Sequence, residues 1–361
     1  MTTPSESISS AVPPSESTNG FALDDQRLLE WLRHSVPEFA NASILSSQRF
    51  SGGQSNPTYA VAIDGVRLVL RKKPPGQLLA GAHAVEREFR VISALHEAGF
   101  PVPRPVALCE DVEAIGTAFF LMEHVDGRIF WDLRLPELPQ HDRSAYYDSM
   151  NATLAALHNT DLAATELTTF GRAGNYFERQ LKRWGAQYRE DVLAGRVEGM
   201  DLLLDWLQTH IPSSDETTLV HGDFRMDNIV FHPSEPRVIA VLDWELSTLG
   251  HPLADFGYHL MPYRLPDMLL PGLRDRDPVA LGLPSEADYV AAYCHRTGRI
   301  GIDNLEYYLA FNMFRAAAIF HGIRGRVIRG TATSAQATEV AKRVEQLADL
   351  GWNQARSVRA G

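Results

Sequence analysis

Two alternating runs, TYAVAI at residues 58–63 and VRLVLR at 66–71, stand on either side of Asp64-Gly65. Alternation at a period of two is the pattern of a half-buried strand. Asp-Gly between two such runs favours a tight hairpin turn, because both central residues must take positive φ. This commits the N-terminal part of the chain to an antiparallel sheet. A third run precedes the hairpin and ends in the turn-rich SGGQSNP. Upstream, DDQRLLEWLRHSVP carries apolar residues at helical spacing and stops at Pro37, which predicts a first amphipathic helix. Downstream, AHAVEREFRVISALHEAG places Val85, Phe89, Ile92 and Leu95 on one stripe, with Gly99 past its end. Apolar runs around residues 105–109 and 117–125 complete a small unit of antiparallel strands with one helix.

Beyond Gly127 the pattern turns mainly helical, in RSAYYDSMNATLAALHNT, YFERQLKRWGAQYRE, MDLLLDWLQTHI, ADYVAAYCHRTG and a long segment from Asn304 to Arg324. One β-rich stretch, residues 217–244, is set into it. There is no internal repeat and no heptad pattern. The expected fold class is α+β and bilobal, with a small antiparallel-sheet N-lobe, a larger mainly helical C-lobe and a cleft between them. The expected divisions are a disordered tail at 1–20, a first helix and N-lobe at 21–125, and the C-lobe at 126–361.

The 361 residues are 45% hydrophobic and 22% charged, ordinary globular proportions. A net charge of -11 argues against a general nucleic-acid binder, which needs a basic face. The two cysteines, Cys109 and Cys294, have no metal-like spacing and read as reduced thiols of a cytoplasmic protein. The opening MTTPSESISSAVPPSESTNG lacks a basic segment followed by an apolar one, so it reads as a polar tail and not a secretion signal. No apolar run is long enough for a membrane span.

In the stretch HGDFRMDNIVF, residues 221–231, a polar cluster lies between the apolar flanks TTLV and IVF and has the spacing His-x-Asp-x-x-x-x-Asn. Asp243 follows fifteen residues after Asn228, at the end of the apolar run in VIAVLDWELS. All these residue types also make ordinary turns. Phosphoryl transfer from ATP, however, needs a carboxylate to take the proton of the attacking hydroxyl and hard oxygen ligands to hold Mg²⁺ against the phosphates. Asp223 suits the first role, and Asn228 and Asp243 suit the second. The thirteen His show no H-E-x-x-H spacing, and the G-x-S-x-G elbow of hydrolases is missing.

HGDFRMDNIVF followed by VLDWELSTLGHPLADFGY resembles the catalytic core of the aminoglycoside phosphotransferase and choline-kinase-like family, small-molecule relatives of protein kinases. The resemblance covers roughly residues 45–330. It implies a protein-kinase-like fold using ATP and Mg²⁺, with Asp223 as catalytic base and Asn228 and Asp243 as metal ligands. Protein kinases carry Asp-Phe-Gly where this chain has Asp243-Trp244-Glu245, as is usual for the phosphotransferase branch. Asp255, in HPLADFGY, resembles a position that supports the catalytic loop, and His221 reads as a loop-fixing residue. Glu245 would share a strand face with Asp243 and stand near a second metal, or simply be exposed.

A kinase also needs a small-residue loop over the phosphates, a strand cation and a helix carboxylate to position that cation. Ser51, Gly52, Gly53, Gln54 and Ser55 supply the loop, although not as G-x-G-x-x-G; Gly-Gly here also suits a plain hairpin turn. Arg71 falls in the cation position, with Lys72 taking over only if the strand is bulged, and Arg makes bidentate phosphate contacts. Glu88 borders the apolar stripe of its helix and is the expected partner of Arg71, whereas Glu86 points away. Backbone groups from Glu123 to Val125, in FFLMEHVDG, are the expected adenine contacts.

For the acceptor, RKKPPGQLLAGAHAVEREFRVISAL and YYLAFNMFRAAAIFHGIRGRVIRG resemble the kinase-like domain associated with certain acyl-CoA dehydrogenases, which implies hydroxyacyl-CoA substrates. Arg315, Arg324, Arg326 and Arg329 would then form a cationic cluster for substrate phosphates, or else simply cap a helix end. Arg225 would neutralise charge during transfer, bind an anionic group or pair with Asp227. The alternatives are an aminoglycoside kinase, whose polycationic substrates prefer acidic loops, and a nucleotide-binding pseudokinase that senses a ligand without chemistry. The intact set of Asp223, Asn228 and Asp243 speaks against the last. The expected partner is a small-molecule alcohol, with neither nucleic acid nor membrane.

Overall fold

The computed structural model describes residues 23–50, 56–74, 84–332 and 336–358. The tail at 1–20 and the loop of Ser51, Gly52, Gly53, Gln54 and Ser55 lie outside the described residues. The chain divides into two compact units: residues up to Val85 together with Ala107–Leu121, and Glu86–Val106 together with Met122 onward.

The first elements in chain order are α1 (Asp25–Ser35), β1 (Leu45–Arg49), β2 (Thr58–Ile63), β3 (Val66–Lys72), α2 (Val85–Glu97), β4 (Pro105–Cys109), α3 (Val112–Ile115) and β5 (Phe119–Glu123). Helix α1 begins where expected because the Asp24 side chain accepts from the Arg27 amide, satisfying a free N–H of the first turn. Its buried residues Leu28, Leu29 and Leu32 form the apolar stripe. The five strands form one sheet in the order β1-β2-β3-β5-β4. Strands β1, β2 and β3 are antiparallel, with Ile63 opposite Val66 across the turn. Asp64 and Gly65 take φ of 44° and 88°, as the hairpin requires. Helix α2 ends with Gly99 at φ 76°, the Phe100 amide returning to the Leu95 carbonyl. The short helix α3, in a Glu/Ala/Ile stretch too brief to show a period, is not legible from pattern.

The larger unit continues with α4 (Arg143–His158), α5 (Tyr176–Glu190), α6 (Glu198–Thr209), β6 (Thr218–Val220), β7 (Ile229–Phe231), β8 (Val238–Val241), β9 (Thr248–Gly250), α7 (Pro252–Leu260), α8 (Glu286–Arg296), α9 (Leu305–Ile328), α10 (Ala337–Ala341) and α11 (Val344–Arg356). The β-rich stretch resolves into two short ladders, β6 with β9 and β7 with β8. Helix α9 is buried on nearly every side, from Tyr307 to Gly325, and packs against α5, α6, α7, α10 and α11. It is the central helix of this unit, so its sequence is apolar all round and not amphipathic. Gly351 lets α11 approach closely, since a Cβ there would stand 2.6 Å from Leu203 and 3.1 Å from Met313. Helix α11 buries Val344, Leu347, Ala348, Gly351 and Ala355 along one face.

Cys109 and Cys294 are buried free thiols. Among the described residues no helix is long and apolar enough to cross a membrane. The fold is α+β and protein-kinase-like, with a small antiparallel-sheet unit and a larger, mainly helical one.

Candidate active site

Strand β6 delivers the chain to His221, where the backbone is gripped from α7. The amides of His221 and Gly222 donate to the two carboxylate oxygens of Asp255 at 2.7 and 2.8 Å. Asp255 is buried and also meets His158 Nε2 at 3.2 Å, and His158 Nδ1 lies 2.7 Å from the Tyr293 hydroxyl. Burial alone would raise the Asp255 carboxyl, but the His158 contact and the His221 amide reverse this and hold it below the usual carboxylate range. Gly222 has φ 82°, and a Cβ there would stand 2.8 Å from the Leu246 carbonyl oxygen, so this position requires glycine on two counts. Its own carbonyl accepts from Arg315 Nη2 at 2.7 Å.

His221 fixes the loop from within. Its Nε2–H donates to the Leu242 carbonyl at 2.9 Å, so Nδ1 is the acceptor for the Asp223 amide at 3.2 Å. The ring thereby ties Asp223 to the residue before Asp243. The Leu242 amide in turn donates to the Asn228 carbonyl at 2.8 Å. Asp223, Asn228 and Asp243, the last fifteen residues beyond Asn228, are thus held by one short network.

The Asp223 carboxylate takes three side-chain contacts. Oδ1 accepts from the Tyr258 hydroxyl at 2.5 Å and pairs with Arg225 Nε at 3.1 Å, while Oδ2 accepts from Asn228 Nδ2 at 3.2 Å. Asn228 Nδ2 also donates to the Asp223 carbonyl at 3.0 Å, which leaves the Asn228 amide oxygen as the atom able to face a cation. Asp243 stands in the left-handed region at φ 64°, and Trp244–Leu246 then forms a single 3-10 turn. Glu245 therefore does not share a strand face with Asp243: the strand ends at Val241, and the turn redirects the chain. Trp244 is buried against His221, with ring centres 4.7 Å apart, and its indole N–H donates to the Val241 carbonyl at 2.9 Å.

Among the described residues there is no group of three or more His, Cys, Asp or Glu side chains arranged to hold a metal. The Asn228 amide oxygen and the Asp243 carboxylate are a two-residue set of hard oxygens. That suits Mg²⁺, which keeps several waters and takes substrate phosphates as its other ligands.

Arg225 bridges the loop's two carboxylates, reaching Asp227 Oδ2 at 3.1 Å as well as Asp223. Burial opposes its charge, but Asp223, Tyr258, Asp227 and Asp243 together raise its pKa. In the smaller unit Arg71 and Lys72 are both buried, but they project to opposite faces of β3. Lys72 shares the face of Tyr59, with its ammonium 5.3 Å from that ring's centre, and burial lowers its pKa. Glu88 is buried on α2. Glu123 ends β5, and its amide already donates to the Arg104 carbonyl at 2.9 Å, so it has no N–H for a base; Val125 follows the strand.

Three of the four arginines on or just after α9 serve separate partners. Arg315 serves the Gly222 carbonyl and lies 5.1 Å from the Tyr258 ring centre. Arg324 pairs with Glu345, and Arg329 pairs with Asp191. A 24-residue helix turns through many faces, and sequence proximity hid this divergence.

Tyr258 went unread in the sequence. It lies three residues after Asp255 in α7, so the two share a helix face, and both address the same loop. The next residue, His259, donates from Nδ1 to the Phe224 carbonyl at 3.1 Å and accepts the Tyr289 hydroxyl at Nε2, 2.6 Å away. Burial drives His259 down to about 4. In the unfolded chain an imidazole takes a proton below about 6.5, so acidification from there towards 4 favours the unfolded state. Urea midpoints should therefore fall between about pH 7 and about pH 5, with His259 contributing on the order of 2 kcal/mol. His259→Phe should flatten that slope; an unchanged slope would show that His259 is not held neutral.

A cavity of about 240 Å³ opens beside this loop, lined by Phe224 through Asp227, by Tyr258 and His259, and by apolar side chains of the 261–273 segment and α4.

A loop of this kind, with its Asp held from a following helix, Asn five residues on and a second Asp after the two-stranded ladder that follows, defines the protein-kinase-like site of small-molecule phosphotransferases. The family profile described as the phosphotransferase enzyme family matches residues 46–296, and the chain belongs to that family. It is 48% identical over 307 residues to mouse acyl-CoA dehydrogenase family member 10, a match covering 84% of this chain and 29% of that protein. The chain thus spans less than a third of this relative's length. A crystal structure from Ralstonia eutropha, provisionally described as an aminoglycoside phosphotransferase, has 46% identity and a TM-score of 0.84, covering 93% of this chain and 99% of that one. The aminoglycoside phosphotransferase APH(4)-Ia, solved with AMP-PNP and hygromycin B, shares the fold at 14% identity, with a TM-score of 0.59 over 91% of this chain and 99% of its own.

Proposed function

We propose that the chain is an ATP- and Mg²⁺-dependent kinase of a small-molecule hydroxyl, with a hydroxyacyl-CoA as the acceptor. The observation that carries the kinase reading is the Asp223 carboxylate, oriented by Tyr258, Arg225 and Asn228 within a loop tied to Asp243. Asp223 accepts the proton of the acceptor hydroxyl as its oxygen attacks the terminal phosphorus of ATP, and ADP departs. Asn228 and Asp243 would hold Mg²⁺, which when bound supplies charge neutralisation at the phosphates. Arg225, beside the base, would balance charge during transfer. In the smaller unit Arg71 is the proposed phosphate cation, since Lys72 is turned to the Tyr59 face. Glu88, Val125 and the carbonyl of Glu123, whose amide is engaged with Arg104, are the further proposed nucleotide-binding groups.

The acceptor class is supported by similarity to proteins named acyl-CoA dehydrogenase family members, and by an apolar cavity beside Asp223. A polycationic aminoglycoside would want carboxylates there, and Arg225 already pairs with both Asp223 and Asp227. The test is ATP consumption with a panel of hydroxyacyl-CoAs and a panel of aminoglycosides. Turnover with aminoglycosides alone would overturn the acceptor, and Mg·ATP binding without turnover of any alcohol would overturn the kinase.

Tyr258→Phe keeps the ring beneath Arg315 and removes only the hydroxyl on Asp223. Loss of a hydrogen bond to a charged group should lower kcat about tenfold, with KM for ATP little changed. Wild-type kcat in this variant would remove Tyr258 from the machinery.

A further inference from the structure

The cavity beside the catalytic loop is unusual in what its polar residues do. Tyr147, Tyr263 and Tyr289 line it, yet their hydroxyls reach the Leu133 carbonyl at 2.7 Å, the Pro284 carbonyl at 3.0 Å and His259 at 2.6 Å. His259 also gives its remaining ring N–H to the Phe224 carbonyl. These walls therefore offer carbon to an occupant, and the charged groups Arg225 and Asp227 belong to the catalytic loop itself. A cavity lined mainly in this way favours an apolar occupant, which displaces water that its walls hold poorly. At about 240 Å³ it lies below the roughly 300–1,000 Å³ of a whole-ligand site, so it holds part of a molecule. Tyr258 joins it directly to the chemistry, lining the cavity while donating to Asp223.

We infer that this cavity is a subsite for a linear aliphatic tail, namely the part of the acceptor that extends beyond its reacting hydroxyl, away from the thioester. This rests on the acyl acceptor proposed above and deepens it. With the hydroxyl at Asp223, the tail enters the carbon-lined cavity while the polar CoA end stays outside, so cavity depth sets the longest tail accepted. Trp131, 76% exposed although it lines the cavity, marks the open side, whereas Met150, 2% exposed, marks an enclosed one.

The test is kcat/KM for hydroxyacyl-CoAs of fixed hydroxyl position, with the tail lengthened one methylene at a time. The expected result is a gain of roughly fourfold per methylene up to a break, then no gain or a loss. Met150→Phe should move the break to shorter tails and Met150→Ala to longer ones. Leu273→Ala, which also enlarges the cavity, serves if either fails to fold, as judged by its thermal melt. Rates insensitive to tail length, or a break that folded variants leave in place, would overturn the subsite. If no hydroxyacyl-CoA is turned over, the acceptor reading fails. The cavity is then judged by binding of linear 1-alkanols, followed by Trp fluorescence: affinity rising per methylene to a break that the same variants shift upholds an aliphatic subsite, and absence of binding overturns it.

Discussion

Replacing Asp223 by Ala is expected to lower phosphoryl transfer by about 10²- to 10⁴-fold, the usual contribution of a positioned base, which is the role proposed for it. ATP binding, read by calorimetry, is expected to stay near that of the unaltered chain, because the proposed nucleotide contacts lie elsewhere. Asp223 is part-exposed, and its removal leaves Tyr258 and Arg225 near water, so the fold should tolerate it. The loop itself does not depend on the Asp223 side chain: Asp255 holds the two preceding amides, and His221 binds the Asp223 backbone. Unchanged single-turnover transfer in a folded Asp223→Ala protein would show that another group takes the proton.

Asp255→Ala is expected to act on stability first. It strips the partner from two loop amides and from His158, all in a site closed to water. Each buried donor left without an acceptor costs about 1–3 kcal/mol, so the loss should reach roughly 3 kcal/mol or more. Urea midpoints should fall accordingly, and transfer should fall as well, since the backbone ahead of Asp223 is no longer fixed. Asp255→Asn, which keeps an acceptor oxygen, should be milder. A loss below about 1 kcal/mol in the Ala variant would mean that water or a rearranged side chain replaces the carboxylate.

Much of the fold was legible from local pattern. The Asp64-Gly65 hairpin, the apolar spacing of α1 and the Gly99 end of α2 each depend on residues close to one another along the chain. The amphipathic helix α5 was likewise readable from its period. Helix α9 was found by its length, but its arginines could not be apportioned, because their partners Asp191 and Glu345 lie far off in the chain. Strand alternation puts Glu245 on the face of Asp243 only if the strand runs four residues past Val241, whereas the chain turns at Asp243 into the left-handed region.

The sequence by itself determined the chemistry on offer: two carboxylates and an amide oxygen, Asp223, Asp243 and Asn228, at a spacing that suits phosphoryl transfer, together with the order of sheet and helices. These are properties of residue type and of neighbours along the chain. Only the tertiary structure decided what holds and surrounds that loop. Asp255 reaches the loop from 33 and 34 residues away and Tyr258 from 35, and the cavity draws its walls from α4, the loop and the 261–273 segment. Contacts of that kind arise when packed helices bring distant residues together, and they leave no period or spacing in the sequence from which to read them.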